Sequence, residues 1–351
     1  MPTADLASPP RPSPSLPTRA ALDAAAATVY AAMPPTPQYR WPLLEGRTGV
    51  ETWVKHENHT PVGAFKIRGG LVHLERLARA TPRVPGVVTA TRGNHGQSVG
   101  FAARRHGVPA LVVVPRGNGR EKNAAMRALG VELVEAGDDF QAAAEAADAL
   151  AAARGWYRLP SFHADLVAGV GTYALELFGA TAAAGAELDT VYVPIGLGSG
   201  ACGVLAAKAA FGARADVVGV VSAHAPAYAR SLASGRAESH AVSTVLADGM
   251  ACRTPVPDAL ALLRGEGGGP ALARVVEVTD EEVAGAMRAL FADTHNAAEG
   301  AGAAALAALL QEREGAPELV RDRRVAVVLC GGNVDADVFA AVLGSARFDG
   351  T

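Results

Sequence analysis

Four short segments contain residues that could do chemistry together. In HTPVGAFKIRGG, His59 to Gly70, a single lysine, Lys66, follows Phe65 and sits among glycines. A deprotonated lysine amine attacks carbonyl carbon and forms a Schiff base. In TRGNHGQ, Thr91 to Gln97, Asn94, His95 and Gln97 gather at a helix start behind the hydroxyl of Thr91. Exposed amides and polar side chains in that place can hold a carboxylate. In IGLGSGACG, Gly196, Gly198 and Gly200 let backbone amides approach an anion where an alanine-rich helix begins, and phosphate is the natural guest. CGGN, Cys330 to Asn333, ends a fourth apolar run. Each segment has an ordinary alternative: a surface lysine, a capped helix, a tight turn, a buried small hydrophobe.

The elements around these segments decide between the two. GVVTAT, PALVVVP, VELVEAG, TVYVPIG, DVVGVVSA and RRVAVVLC are continuous apolar runs and read as strands buried on both faces. Between them, QSVGFAARRHG, EKNAAMRALG, DDFQAAAEAADALAAARG and AGVGTYALELFGATAA read as helices, and TDEEVAGAMRALF begins with a capping box of Thr279 and Glu282. Such alternation predicts parallel sheets covered by helices, with ligands collecting outside the carboxyl ends of the strands. Three of the four segments fall at such ends. A Rossmann reading of Gly196, Gly198 and Ala201 lacks the acidic residue at the end of the next strand, where Ser222 and His224 stand, and no Walker lysine follows the glycines.

Composition narrows the ligands. The 351 residues are 50% hydrophobic and 19% charged, with a net charge of -3, so the chain has no basic footprint for nucleic acid. Cys202, Cys252 and Cys330 lack metal-ligand spacing and do not form a disulfide framework, which fits a reducing cytoplasm. Residues 1–20 read as a disordered leader, and no apolar run is expected to span a membrane. His56 and His59 lack the third ligand of a zinc site. An amine, a phosphate cradle, a carboxylate cradle and a group at a strand end suit pyridoxal phosphate, which needs a Schiff-base lysine, an anion site and a partner for its ring nitrogen.

The same segments, in order from Trp53 to Asn333, resemble the fold-type II pyridoxal-phosphate enzymes of the serine/threonine dehydratase and serine racemase group. The resemblance implies a tryptophan synthase β-like α/β fold of two three-layer α/β/α domains with open, mostly parallel sheets. A large cofactor domain would comprise 21–85 and 161–351, and a small substrate-loop domain 86–160. It implies that Lys66 carries the cofactor and takes the Cα proton, with Phe65 packed by the ring. Asn94 would bind the cofactor's phenolic oxygen, and Gly196, Leu197, Gly198, Ser199 and Gly200 its phosphate. Gly249, in ADGM, would lie near the ring face, and Cys330 would face the ring nitrogen. Thr91, Arg92, Asn94 and His95 would contact substrate. A homodimer or homotetramer acting on a small amino acid is also implied.

Departures from the group's pattern refine the activity. Racemases carry a serine where this chain has Arg92, and a guanidinium is a poor proton shuttle. Arg92 can instead pair with a carboxylate of the substrate. The group's divalent-metal glutamate is replaced by Val221, so no metal is expected there. Only 18 residues follow Asn333, so no C-terminal regulatory domain is expected. The expectation is an ammonia-lyase dehydrating L-threonine or L-serine to a 2-oxo acid. A lyase for hydroxyaspartate or phenylserine is the alternative, ahead of a racemase or a non-catalytic binding protein.

Overall fold

A computed structural model describes residues 14–81 and 83–345. Ten strands form: β1 (Gln38–Arg40), β2 (Glu51–His56), β3 (Val87–Ala90), β4 (Ala110–Val114), β5 (Glu132–Glu135), β6 (Tyr157–Arg158), β7 (Thr190–Pro194), β8 (Asp216–Ser222), β9 (Arg274–Val278) and β10 (Arg324–Leu329). They make a six-stranded sheet, β1-β2-β10-β7-β8-β9, and a four-stranded sheet, β5-β4-β3-β6. Every pairing is parallel except β1 with β2. Helices cover both sheets, giving the α/β architecture expected from the alternation of apolar runs.

The six predicted strands form, but β5 corrects one expectation. It lies at a sheet edge, its Glu132 and Glu135 are exposed, and Leu133 and Val134 are only half-buried. One apolar helix corrects another: Ala164–Ala183 is long and apolar enough to cross a membrane. It packs inside the protein instead, against the helices Lys66–Ala80 and Ser199–Phe211. The expected leader at 1–20 lies mostly outside the described residues. Within it, Thr18 caps the helix Arg19–Tyr30.

The helix Lys66–Ala80 positions the lysine. Gly69 and Gly70, the glycines that follow Lys66, are packing sites. A Cβ at Gly69 would lie 2.9 Å from the Leu166 carbonyl oxygen, and one at Gly70 would lie 2.2 Å from Ser98 Oγ. Ser98 Oγ also donates to the Lys66 carbonyl at 2.5 Å. The first turn of this helix is therefore pressed between two neighbouring helices.

Beneath that turn, Arg68 is fully buried. Its Nε donates to Glu57 Oε2 at 2.8 Å, and its Nη1 donates to Glu176 Oε1 at 2.6 Å. Thr36, Thr172 and Lys55 complete the cluster, with Lys55 Nζ 2.6 Å from Glu176. Burial alone would lower the Arg68 pKa, but the two carboxylates reverse the effect and hold the guanidinium charged. Removing one side of such a pair strands a buried charge. Arg68→Ala is expected to lower stability by about 3–5 kcal/mol in urea unfolding, and a loss below about 1 kcal/mol would show that the cluster anchors nothing.

Candidate active site

The segment before Lys66 is joined through the backbone to the segment after β10. Phe65 N–H donates to the Cys330 carbonyl at 3.0 Å, and Gly332 N–H donates to the Gly63 carbonyl at 2.9 Å. Asn333 Nδ2 donates to the Val62 carbonyl at 2.8 Å. Gly63 makes the turn at φ +68°, where a Cβ would lie 2.6 Å from Asn333 Oδ1. Two motifs far apart in sequence thereby become adjacent.

The opposite wall is the loop 196–200. Gly198 is left-handed at φ +98° and precedes the helix Ser199–Phe211, which has no side-chain cap. Its first-turn amides have no intrahelical acceptors. Tyr228 Oη donates to the Leu197 carbonyl at 2.9 Å, and Tyr173 Oη donates to the Gly200 carbonyl at 3.3 Å. At Gly196 a Cβ would meet the Gly249 carbonyl oxygen at 2.3 Å, so a side chain is barred there.

Between these walls lies a narrow cleft, part of it open to solvent. The structure brings Phe65, Lys66, Asn94, Gly196, Leu197, Gly198, Ser199, Gly200, Gly249 and Cys330 together in its lining. Thr91, Arg92 and His95 are not lining residues. Thr91 Oγ1 accepts from Gly93 N–H within its own loop, and His95 is buried, pushed down to about 3 by desolvation and by Lys66 and Arg158. His95 and Gln97 are thus interior groups, not the exposed ones expected at this helix start. His56 and His59 serve structure, bonding to Trp41 and Asn296.

Sequence reasoning missed Glu299, which lines the cleft and is almost fully buried. Asn94 Nδ2 donates to its Oε1 at 2.5 Å, while Asn333 Nδ2 donates to Asn94 Oδ1 at 2.9 Å. Lys122 Nζ lies 3.2 Å from Glu299 Oε2 and 2.6 Å from Asp248 Oδ2. The one available signal was an acid in AEGAG, just before a small-residue helix.

Lys66 differs from the other three lysines of the chain. Lys55 and Lys122 have carboxylate partners, and Lys208 sits in the last turn of its helix. Lys66 has no ion pair among the described residues, and its Nζ lies 4.8 Å from the Phe65 ring centroid. Burial pushes its pKa below the ordinary lysine value. Burial likewise raises Cys330 far above the usual thiol range, so the neighbouring thiol is neutral and offers Lys66 no counter-charge; it donates to the Ala301 carbonyl instead. In protein stripped of cofactor, Lys66 should lose its proton below the ordinary value of 10.5. Selective reductive methylation with an NMR titration checks this, and a value above 10.5 would mean that an unrecognised anion holds the ammonium.

Pyridoxal phosphate fits these residues. An unpaired lysine meets an uncapped helix start across a cleft in which Gly196 cannot carry a side chain. The sequence matches the family described as pyridoxal-phosphate dependent enzyme over residues 29–331. The L-threonine ammonia-lyase of Thermotoga maritima is 33% identical over 302 residues, covering 86% of this chain and 72% of that protein. Among solved structures, a threonine deaminase from T.th. aligns with TM-score 0.81 at 30% identity, covering 91% of this chain and 99% of that one. A pyridoxal 5'-phosphate-dependent aspartate racemase aligns with TM-score 0.83 at 26% identity, covering 93% and 98%. With its lysine, glycine loop and neutral thiol gathered in one cleft, the chain belongs to the pyridoxal-phosphate dependent enzymes.

Proposed function

We propose that this enzyme deaminates a β-hydroxy-α-amino acid, L-threonine or L-serine, to a 2-oxo acid and ammonia, the β-hydroxyl leaving as water and one water returning on hydrolysis. The observation that carries this reading is the unpaired Lys66 amine, of lowered basicity, facing an uncapped helix start. The relatives named threonine ammonia-lyase and threonine deaminase support it. When bound, pyridoxal phosphate supplies the electron sink that makes the Cα proton acidic.

The chain's residues do the rest. Lys66 Nζ would hold the cofactor, and its free amine would take the Cα proton. Burial lowers the pKa of that amine and so favours the free base that proton abstraction requires. Residues 196–200 and the first turn of the helix Ser199–Phe211 bind the phosphate group. Asn94, held by Glu299 and Asn333, orients the ring hydroxyl. Cys330, a neutral thiol, would lie at the ring nitrogen and, unlike a carboxylate, would supply no negative charge to hold that nitrogen protonated. The hydroxyl leaves with a proton as water. The released enamine takes up water and yields 2-oxobutanoate from threonine, or pyruvate from serine, with one ammonia.

The division at 86–160 follows the same reading, since the four-stranded sheet lies within those residues and Lys122 reaches from them to Asp248 and Glu299. A cytoplasmic homodimer or homotetramer completes the proposal. The buried Arg92 Nε, which has no hydrogen-bond partner among the described residues, favours a second reading in which the substrate brings an extra carboxylate, as hydroxyaspartate does. Thr91, Arg92 and His95 act through the shape of their loop in the first reading, and Arg92 contacts substrate in the second. A racemase is disfavoured because a guanidinium shuttles protons poorly.

Purified enzyme given L-threonine or L-serine should release 2-oxo acid, and Lys66→Ala should lower the rate by at least about 10²–10⁴-fold. Turnover of hydroxyaspartate alone would select the second reading, and turnover of no hydroxy amino acid would reject both. Gly196→Ala should lose the bound cofactor on dialysis while keeping its far-ultraviolet circular dichroism. Full retention would place the phosphate elsewhere.

A further inference from the structure

A cluster outside the cleft has the donors of a metal site. His73 lies about two turns beyond Lys66 on the same helix. His163 caps the helix Ala164–Ala183, and Asp165 stands in that helix's first turn. His73 Nδ1 is 3.3 Å from Asp165 Oδ2, and His163 Nδ1 is 3.4 Å from the same oxygen. The three donor atoms lie within 4.8 Å of one another. Zinc bonds to nitrogen and oxygen of about 2.0–2.1 Å, in a tetrahedron, separate donors by about 3.3–3.4 Å. Two of the three edges already have that length.

Two further features point to a ligand. His73 is 3% exposed, and its Nδ1, although 3.3 Å from Asp165 Oδ2, makes no well-aligned hydrogen bond among the described residues. Its Nε2 is 3.2 Å from Tyr157 Oη, and in the tautomer that donates to that oxygen Nδ1 carries a lone pair, 3.3 Å from Asp165 Oδ2. The remaining polar contacts are two. Arg76 Nη1 bonds Asp165 Oδ1, leaving Oδ2 to the imidazoles, and Asp165 N–H donates to His163 Nδ1 at 3.1 Å. The second must yield on coordination. The His163 side chain is 43% exposed, so it can turn to shorten the third edge.

We propose that His73, His163 and Asp165 bind one divalent cation of the zinc class, with water as fourth ligand. The ion would tie the helix that bears Lys66 to the point where the chain returns from the four-stranded sheet. The donor set of two imidazoles and one carboxylate suits zinc better than calcium or magnesium. Expecting no metal at Val221 or at His56 and His59 does not touch this cluster, which only the fold assembles.

The holoenzyme, treated with chelator and dialysed, would be titrated with zinc by calorimetry and with cobalt by visible absorption. One equivalent of zinc should bind, and cobalt should give the intense bands of tetrahedral coordination. His163→Ala, at an exposed position, should weaken binding by more than about tenfold, and Tyr157→Phe by about 10–100-fold. His59→Ala should leave binding unchanged. Absence of saturable zinc binding, weak octahedral cobalt bands, or equal affinity in His163→Ala would each overturn the proposal.

Discussion

The Arg68 guanidinium, sealed from water between Glu57 and Glu176, fixes the part of the molecule on which the site depends. It lies two residues after Lys66 on the same first turn. A charge so deeply buried tolerates little displacement, because its carboxylate partners cannot be replaced by solvent. Lys66 is its opposite: an amine placed at the wall of a cleft with no carboxylate within salt-bridge reach among the described residues. One turn of helix thus contains one basic group held charged by its partners and one made less basic by burial.

The rest of the fold brings complementary groups to that turn. The bonds from Phe65 and Gly63 to Cys330 and Gly332 place a neutral thiol beside the lysine. The glycine loop after β7 faces them because β7 and β10 are parallel neighbours whose carboxyl ends lie together. Asn94 arrives from the other sheet, after β3, and is caught by Glu299 and Asn333. The site is a meeting of two sheets, and Lys122 adds an ionic tie from the smaller one to Asp248 and Glu299.

Much of this was legible in the sequence because parallel strands buried on both faces are written as unbroken apolar runs, and β3, β4, β7, β8 and β10 are such runs. Glycines that bar side chains also stand out, as at Gly196 and Gly198. What could not be read is where charge is buried. In ETWVKH the polar Lys55 and His56 conceal a strand, β2, although both are buried. Glu299, Lys122 and Asp248 look like ordinary surface charges until the fold brings them together. That Leu166 and Ser98 press against Gly69 and Gly70 is likewise absent from the sequence. His95 shows the same limit: a polar residue at a helix start reads as exposed, yet it points into the interior.

Of the four lysines, Lys66 alone is proposed to hold the cofactor. Borohydride reduction of the holoenzyme, followed by proteolysis and mass spectrometry, measures this directly. A pyridoxyl adduct is expected on the peptide containing Lys66, with Lys55, Lys122 and Lys208 unmodified. An adduct on any of those three with Lys66 unmodified, or no adduct after reconstitution with pyridoxal phosphate, would contradict it.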